Sequence, residues 1–552
     1  MASATLTAPP AWPKTYTVSG FLILPYAGTS FRFLFERLKL KTFFFQNVEI
    51  MEKFEAYYDE DAGKSRIDYY DGLDKTFQLA NENKLVKIVP MTTETVWNQR
   101  NCFAASGTSA EPVQVQSILP DLTGFNLLGQ DVKNGQSCQK WQKKDKIGNK
   151  VNKYTMWIRM VDNIATPVFY EMKGFNSLLG SHYDHYYLEY DANFNTDRPD
   201  AKVFEYETSG SKMKCHGFPG PGFDHTYTMN PMREFVNHHH NHVKEAFEIF
   251  EVKHGKRYRD TEDRWNRRDI FSQNMRFIHS KNRQHLSYSL APNHLTDMTE
   301  SEMAMLRGKL QTTGYNGGAP FEYTSEELAS TPDALDWRLY GAVTPVKDQA
   351  SCGSCWSFGT VGTLEGAHFL QTGDLVRFSQ QSLMDCSWGF GNNACDGGED
   401  WRVYKFLLAH QGIPTEDSYG PYLGNDAECR INDTNIEIGF QIKGYVNVTS
   451  GSNEATQVAI AKHGPLSVSI DAGHRSLSFY SSGVYFEPEC NNTPEGLDHS
   501  VLAVGYGQIN GQRYWLIKNS WSTYWGNDGY VLMSQKDNNC GVATMPTFVI
   551  PA

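Results

Sequence analysis

Cysteine placement constrains this chain more than any other feature: seven of the ten cysteines fall in residues 331–552, at dispersed positions rather than in the paired clusters that ligate a metal. Such a segment reads as a disulfide framework, built where thiols are oxidised. N-x-Ser/Thr sequons at Asn432, Asn447 and Asn491 fit passage through the same compartments. Residues Met1 to Lys14 show neither the basic block nor the apolar block of a secretory leader, so a start upstream of them is expected. No run of 18 apolar residues is present to span a bilayer. A lysosomal or extracellular location is the expectation.

With 552 residues, 40% of them hydrophobic and 21% charged, two or three packed units are expected. The net charge of -12 is uneven: residues 331–552 hold 12 basic and 23 acidic side chains, or -11. That leaves no basic face to displace phosphate counterions, which excludes nucleic acid as a partner. Residues 1–220 read as an antiparallel β domain, with strands at Tyr16–Leu24, Ser65–Tyr70, Val113–Gln116 and Lys153–Ile158. Residues 28–54 break the pattern with a basic, Phe-rich run, read either as an insert or as an amphipathic helix facing lipid. Gly217–Gly222 marks a linker, and residues 221–330 form the next unit. Between 233 and 284 apolar residues recur at helical spacing (Phe247, Phe250, Val252, Trp265, Ile270, Phe271, Phe277, Ile278), among 12 basic and 8 acidic ones. His238, His239, His240 and His242 read as a solvated, pH-responsive stretch rather than a zinc site.

The chemistry gathers in the last unit. Gln349-Ala-Ser-Cys-Gly-Ser-Cys355-Trp356 is followed 144 residues later by Leu497-Asp498-His499-Ser500, and 20 residues after that by Asn519-Ser-Trp521. A thiol attacks a carbonyl only as thiolate, which asks for a cation and preferably a helix N-terminus; Ser357–Leu370 can supply the helix and His499 the cation. His499 would ion-pair with Cys355 and then protonate the leaving group. Asn519 would fix the imidazole, with Trp521 screening that bond. The Gln349 side-chain amide and the Cys355 N–H would face an oxyanion. Cys352 to Cys355 is also a C-x-x-C, but without a thioredoxin-like βαβ pattern the redox reading is set aside.

These motifs resemble the papain family of cysteine proteases, and Ile470–His474 with Tyr485–Pro488 resemble cathepsin L. The resemblance implies an α+β fold over 331–552, with a helical left lobe, a β-barrel right lobe and the cleft between them. It implies disulfides Cys352–Cys395, Cys386–Cys429 and Cys490–Cys540, with Cys355 free. Asp263, Arg267, Phe271, Asn274, Ile278 and Asn282, then Asn293, Leu295 and Asp297, resemble the inhibitory propeptide motifs of cathepsin L-like enzymes. The propeptide is thus expected to fill the cleft as an intramolecular inhibitor, with cleavage near Ser330 to Asp333. In the β domain, Lys173–Gly180 and His182–Tyr186 resemble insect haemocyte cathepsins of the 26/29 kDa type, which implies a companion N-terminal chain retained after processing. Cys102 and Cys138 are expected to pair there.

By the same resemblance substrate meets Gly353, Gly397, Gly398, Glu399, Asp400, Ser469, Leu497, Asp498, Ser500, Trp521 and Met545. Glu399 and Asp400 are acidic where relatives usually place apolar residues, which implies tolerance of a basic residue at P2, the second residue before the cut bond. Neither cofactor nor metal is expected, and proteins or peptides are the expected substrates. The alternative reading is a binding or adhesion protein acting through its β domain, with the protease domain accessory.

Overall fold

Strict alternation of buried and half-buried residues builds the first strand: Thr15–Pro25 (β1) hides Tyr16, Val18 and Leu22 on one face. In the computed structural model, which describes residues 8–25, 48–91, 98–109, 112–177, 181–206, 214–217, 231–237, 241–312 and 314–552, β1 lies in the middle of a twelve-stranded sheet. The other strands are β2 (Val48–Asp59), β3 (Lys64–Tyr69), β4 (Asp74–Leu79), β5 (Lys84–Met91), β6 (Gln99–Ser106), β7 (Asn126–Lys133), β8 (Gln136–Ile147), β9 (Lys150–Val161), β10 (Ile164–Asn176), β11 (Ser181–Tyr190) and β12 (His216–Gly217). Their order is β12-β6-β5-β4-β3-β2-β1-β11-β10-β9-β8-β7, and every pairing except β12 with β6 is antiparallel.

Three sequence expectations change here. Residues 48–54 are not an insert: they belong to β2 and pair with β1, and from Phe54 onward β2 pairs with β3 as well. Residues 28–47 and His238–His240 lie outside the described residues. Val113–Gln116 joins no ladder; side chains satisfy its backbone instead, Asn83 Oδ1 accepting from the Val113 N–H and Ser65 Oγ from the Gln116 N–H, both at 2.9 Å. Cys102 pairs with Cys215 and Cys138 stays free. The reason is topological: Cys215 adjoins β12, which runs beside β6, whereas Cys138 sits on β8 near the opposite edge.

Among the described residues three α-helices complete this compact unit, whose boundary falls after His285, inside the segment read as propeptide. They are α1 (Met232–Asn237), α2 (Asn241–Lys253) and α3 (Thr261–Asn282). Met232, Phe235 and Val236 of α1 join the main core of the sheet. Phe247 and Phe250 of α2 pack on Phe271 of α3, while Val252 and Trp265, outside that stripe, are exposed. Asp260 caps α3, and Asp263 pairs with Arg267 one turn on, at 3.5 Å. Arg276 of α3 and its C-cap Arg283 reach the sheet and α1: Arg276 bonds Asp184 (2.8 Å) and Glu234 (2.6 Å), and Arg283 bonds the fully buried Glu52. Lys87 and Asp74, also buried, pair beside them at 3.1 Å. These two arginines thus pair within their own unit.

The second unit runs from Leu286. It opens with α4 (Glu300–Met305), ahead of the lobes, and its helical lobe contains α5 (Cys355–Thr372), α6 (Gln380–Cys386) and α7 (Asp400–Ala409). The other lobe is a strand system with β13 (Tyr288–Leu290), β14 (Ile442–Asn447), β15 (Leu466–Ile470), β16 (Tyr480–Tyr485), β17 (His499–Ile509), β18 (Gln512–Lys518), β19 (Tyr530–Ser534) and β20 (Thr547–Pro551), in the order β13-β16-β19-β18-β17-β15-β20-β14. The three disulfides implied by the resemblance are all formed. Helix α5 lies directly on β17 because Gly362 leaves room: a Cβ there would stand 2.6 Å from Leu502 Cδ2. That close approach brings the first residue of α5 beside the first residue of β17.

Candidate active site

Those two residues are Cys355 and His499, both fully buried. The Ser500 N–H points at Cys355 Sγ from 3.5 Å, so the start of the strand reaches the start of the helix. His499 Nε2 bonds Asn519 Oδ1 at 2.8 Å, which also accepts the Ser520 N–H at 2.8 Å; the asparagine oxygen is therefore an acceptor and Nε2 carries the proton. Nδ1, the remaining ring nitrogen, makes no well-formed hydrogen bond among the described residues, with the Leu306 backbone near it. Trp521 covers the imidazole, ring centroids 4.8 Å apart, and is braced edge-on by Trp525.

Gln349 is oriented by a residue that sequence reasoning missed. Ser520 Oγ donates to its Oε1 at 2.6 Å and the Ser520 carbonyl accepts the Gln349 N–H at 2.9 Å. The Gln349 Nε2 group is thereby turned to the Cys352 carbonyl (2.7 Å) and the Leu306 carbonyl (2.9 Å).

Leu306 belongs to an extended segment that follows α4 and lies across the nucleophile. The Gly308 N–H points at Cys355 Sγ from 3.3 Å, the Lys309 N–H bonds the Asp498 carbonyl (3.1 Å), and Gly398 holds the segment by its N–H to Gly308 (2.9 Å) and its carbonyl to Leu310 (3.0 Å). Only glycine fits above the thiol, since a Cβ on Gly308 would stand 1.7 Å from the Gly353 carbonyl oxygen. Upstream, Asn293 Nδ2 bonds the Ser478 carbonyl at 2.8 Å, anchoring the second propeptide motif. The segment dries the site, and the charges respond. Burial pushes the Cys355 thiol up to about 11, against the N–H groups of Ser500 and Gly308, and pushes His499 down to about 4, against its bond to Asn519. In this blocked state both groups are held neutral, where sequence reasoning expected an ion pair.

The remaining predicted contacts divide. Gly353, Gly397 and Gly398 form the wall along the segment. Asp498 also pairs with Arg307 at 3.3 Å. Ser469 sits opposite Ser500 on adjoining strands, Leu497 is buried, and Met545 is half-buried. Glu399 is committed to Arg402 at 2.9 Å and to Thr312. Asp400 Oδ2 accepts from Ser467 Oγ (3.0 Å) and Thr547 Oγ1 (2.6 Å), two partners that sequence reasoning passed over. Ser467 could have been found from Ser469, since alternate residues of a strand share a face. Asp471, His474 and Cys490 converge, but Cys490 is bonded to Cys540 and His474 to Asp471 at 3.1 Å, so they form an ion pair beside a disulfide. Asn432 and Asn491 are exposed, whereas Asn447 Nδ2 is engaged by Asn316 Oδ1 at 2.8 Å.

A thiol, an imidazole fixed by an asparagine and an amide donor aimed at a carbonyl make a site for acyl transfer. Comparison with known proteins agrees. Residues 331–550 match the papain family cysteine protease domain, and residues 247–303 match the cathepsin propeptide inhibitor domain (I29). Digestive cysteine proteinase 2 of Homarus americanus is 43% identical over 311 residues, covering 55% of this chain and 94% of that protein. Cathepsin L of Sarcophaga peregrina is 40% identical over 323 residues, covering 55% and 92%. Digestive procathepsin L 3 of Tenebrio molitor larval midgut superposes with a TM-score of 0.51 at 35% identity, covering 56% of this chain and 99% of that one. The chain belongs to the papain family of cysteine proteases. Within it, this is a cathepsin L-like precursor with an I29 propeptide.

Proposed function

We propose that the chain is a latent endopeptidase in which Cys355 is the nucleophile, His499 the acid–base group, Asn519 its positioning residue and Gln349 an oxyanion donor, released when the segment through Leu306–Leu310 is removed. One observation carries this reading: the segment engages both halves of the machinery together, its Gly308 N–H at the sulfur and its Leu306 carbonyl on the Gln349 amide. With the cleft open and wet, the thiol gives its proton to His499 Nδ1. The thiolate adds to the scissile carbonyl and the oxyanion is held by Gln349 Nε2 and the Cys355 N–H. As the C–N bond breaks, His499 returns the proton to the amine; water, deprotonated by the same imidazole, then cleaves the thioester. Substrate lies along Gly397, Gly398, Asp498 and Ser500, with Ser469, Leu497, Trp521 and Met545 around it.

Activation takes place in an acidic lysosomal or extracellular setting, with cleavage near Ser330 to Asp333, and the N-terminal chain stays behind as a companion. The buried pairs of Arg276 and Arg283 bind α3 to the β sheet, so this part of the propeptide goes with the N-terminal chain. The test is purified precursor brought from pH 7 to pH 5 and followed by N-terminal sequencing and a fluorogenic peptide. A new terminus near 331, two co-eluting chains and activity absent from Cys355→Ala are expected. Equal activation at both pH values would remove the acid step, and loss of the N-terminal chain would remove the companion.

A further inference from the structure

The segment that blocks the cleft also samples its specificity. Gly308 lies at the sulfur, so the next residue, Lys309, takes the place one step from the thiol-contacting residue, where a substrate running the opposite way puts its P2 side chain. Lys309 is gripped on both sides: Gly398 brackets it through the Gly308 carbonyl and the Leu310 N–H, and the Asp498 carbonyl accepts its own N–H. Two residues beyond Gly398 along the wall stands Asp400.

Asp400 is held as an anion acceptor. Two hydroxyls, from Ser467 on β15 and Thr547 on β20, donate to Oδ2, and the Trp401 N–H donates to Oδ1 at 2.8 Å. Oδ2 is thereby filled, while Oδ1 has an acceptor site to spare. The neighbouring acid does not compete, because Glu399 is neutralised by Arg402. Burial raises the Asp400 carboxyl, against the hydroxyl and N–H donors on it and, last, the positive charge of Lys309. The Lys309 ammonium itself donates to the Leu310 carbonyl at 3.1 Å.

Resting on the reading of the cleft as a protease site, we infer that Asp400 makes the P2 pocket selective for lysine or arginine, and that Lys309 is the intramolecular occupant of that pocket in the precursor. Lock and substrate would then share one code: a basic side chain beside the thiol.

The experiment profiles activated enzyme on peptides that differ only at P2 (Arg, Lys, Leu, Phe), as kcat/KM. Arg or Lys is expected to equal or exceed Leu. Asp400→Asn is expected to lower the Arg-to-Leu ratio at least fivefold, and Glu399→Gln to move it less than twofold. If Asp400→Asn does not fold, Asp400→Glu replaces it and is expected to keep Arg or Lys at least equal to Leu. In the precursor, Lys309→Leu is expected to speed alkylation of Cys355 by iodoacetamide at pH 7 several-fold. Strict Leu or Phe selection, a ratio unmoved by Asp400→Asn, a loss of basic preference in Asp400→Glu, or an unchanged alkylation rate would overturn the inference while leaving the protease reading intact. Failure to cleave any of the four peptides would instead overturn the protease reading.

Discussion

Replacing Arg283 by Met tests how the propeptide helix is held. Arg283 caps α3 and meets Glu52, whose side chain is 1% exposed, while Lys87 and Asp74 pair alongside with side chains 8% and 0% exposed. The four charges sum to zero, and Met keeps the aliphatic bulk against Tyr69 but leaves one carboxylate in excess. Breaking a buried pair from one side costs about 3–5 kcal/mol, a large share of the ~5–15 kcal/mol that stabilises a domain. At ~2–4 °C per kcal/mol for a unit of this size, the first unit should melt roughly 6–20 °C lower. Removing both charges, as in Arg283→Met with Glu52→Met, is neutral or better in a well-packed site, so the double variant should regain most of the loss. Scanning calorimetry on the Cys355→Ala precursor at pH 7 measures both without self-digestion. A shift below about 2 °C in the single variant, or a double variant no better than the single, would refute the argument that the buried pairs clasp the helix.

Gln349→Ala should lower kcat about 10²–10³-fold with KM changed far less, as expected for a donor felt mainly in the transition state, and steady-state kinetics on a peptide amide would show it. Denatured but unreduced protein should alkylate at Cys138 and Cys355 alone, with Cys102 and Cys215 recovered as one crosslinked peptide by mass spectrometry. His474 is opposed by burial but raised overall by its bond to Asp471, so the stability it adds is fully present below the ordinary imidazole value of about 6.5 and is lost as pH rises through its raised folded value. Urea melts at pH 6 and pH 8.5 should therefore show a loss of under about 1 kcal/mol at the higher pH, and His474→Gln should flatten it.

What the sequence disclosed followed from how local each signal is. Cys355, His499 and Asn519 were legible because a thiol, an imidazole and an amide at fixed separations have few other uses, and the partners of six framework cysteines followed from the family. The Cys102–Cys215 bond was not legible, since 113 residues separate its ends and only the parallel pairing of β12 with β6 brings them together. Helical spacing in 233–284 revealed a buried stripe but not what it buries against; Arg276 and Arg283 look like surface charge until Asp184, Glu234 and Glu52 are seen opposite. Likewise Asp400 stood out as an acid, while its hydroxyl partners, 67 and 147 residues away, belong to strands whose register the sequence does not print.

The unit boundary at His285 makes the number of cuts matter. A cut beyond residue 312 alone leaves the blocking strand tethered to a large folded body, so the retained companion chain proposed above permits activity only once a second cut has removed that strand. A cut at the boundary alone leaves the strand joined to the protease, and only cuts at both places free a short strand that diffuses away and is diluted. Two severed bonds, one on each side of residues 286–312, turn an inhibitor on a leash into an inhibitor lost.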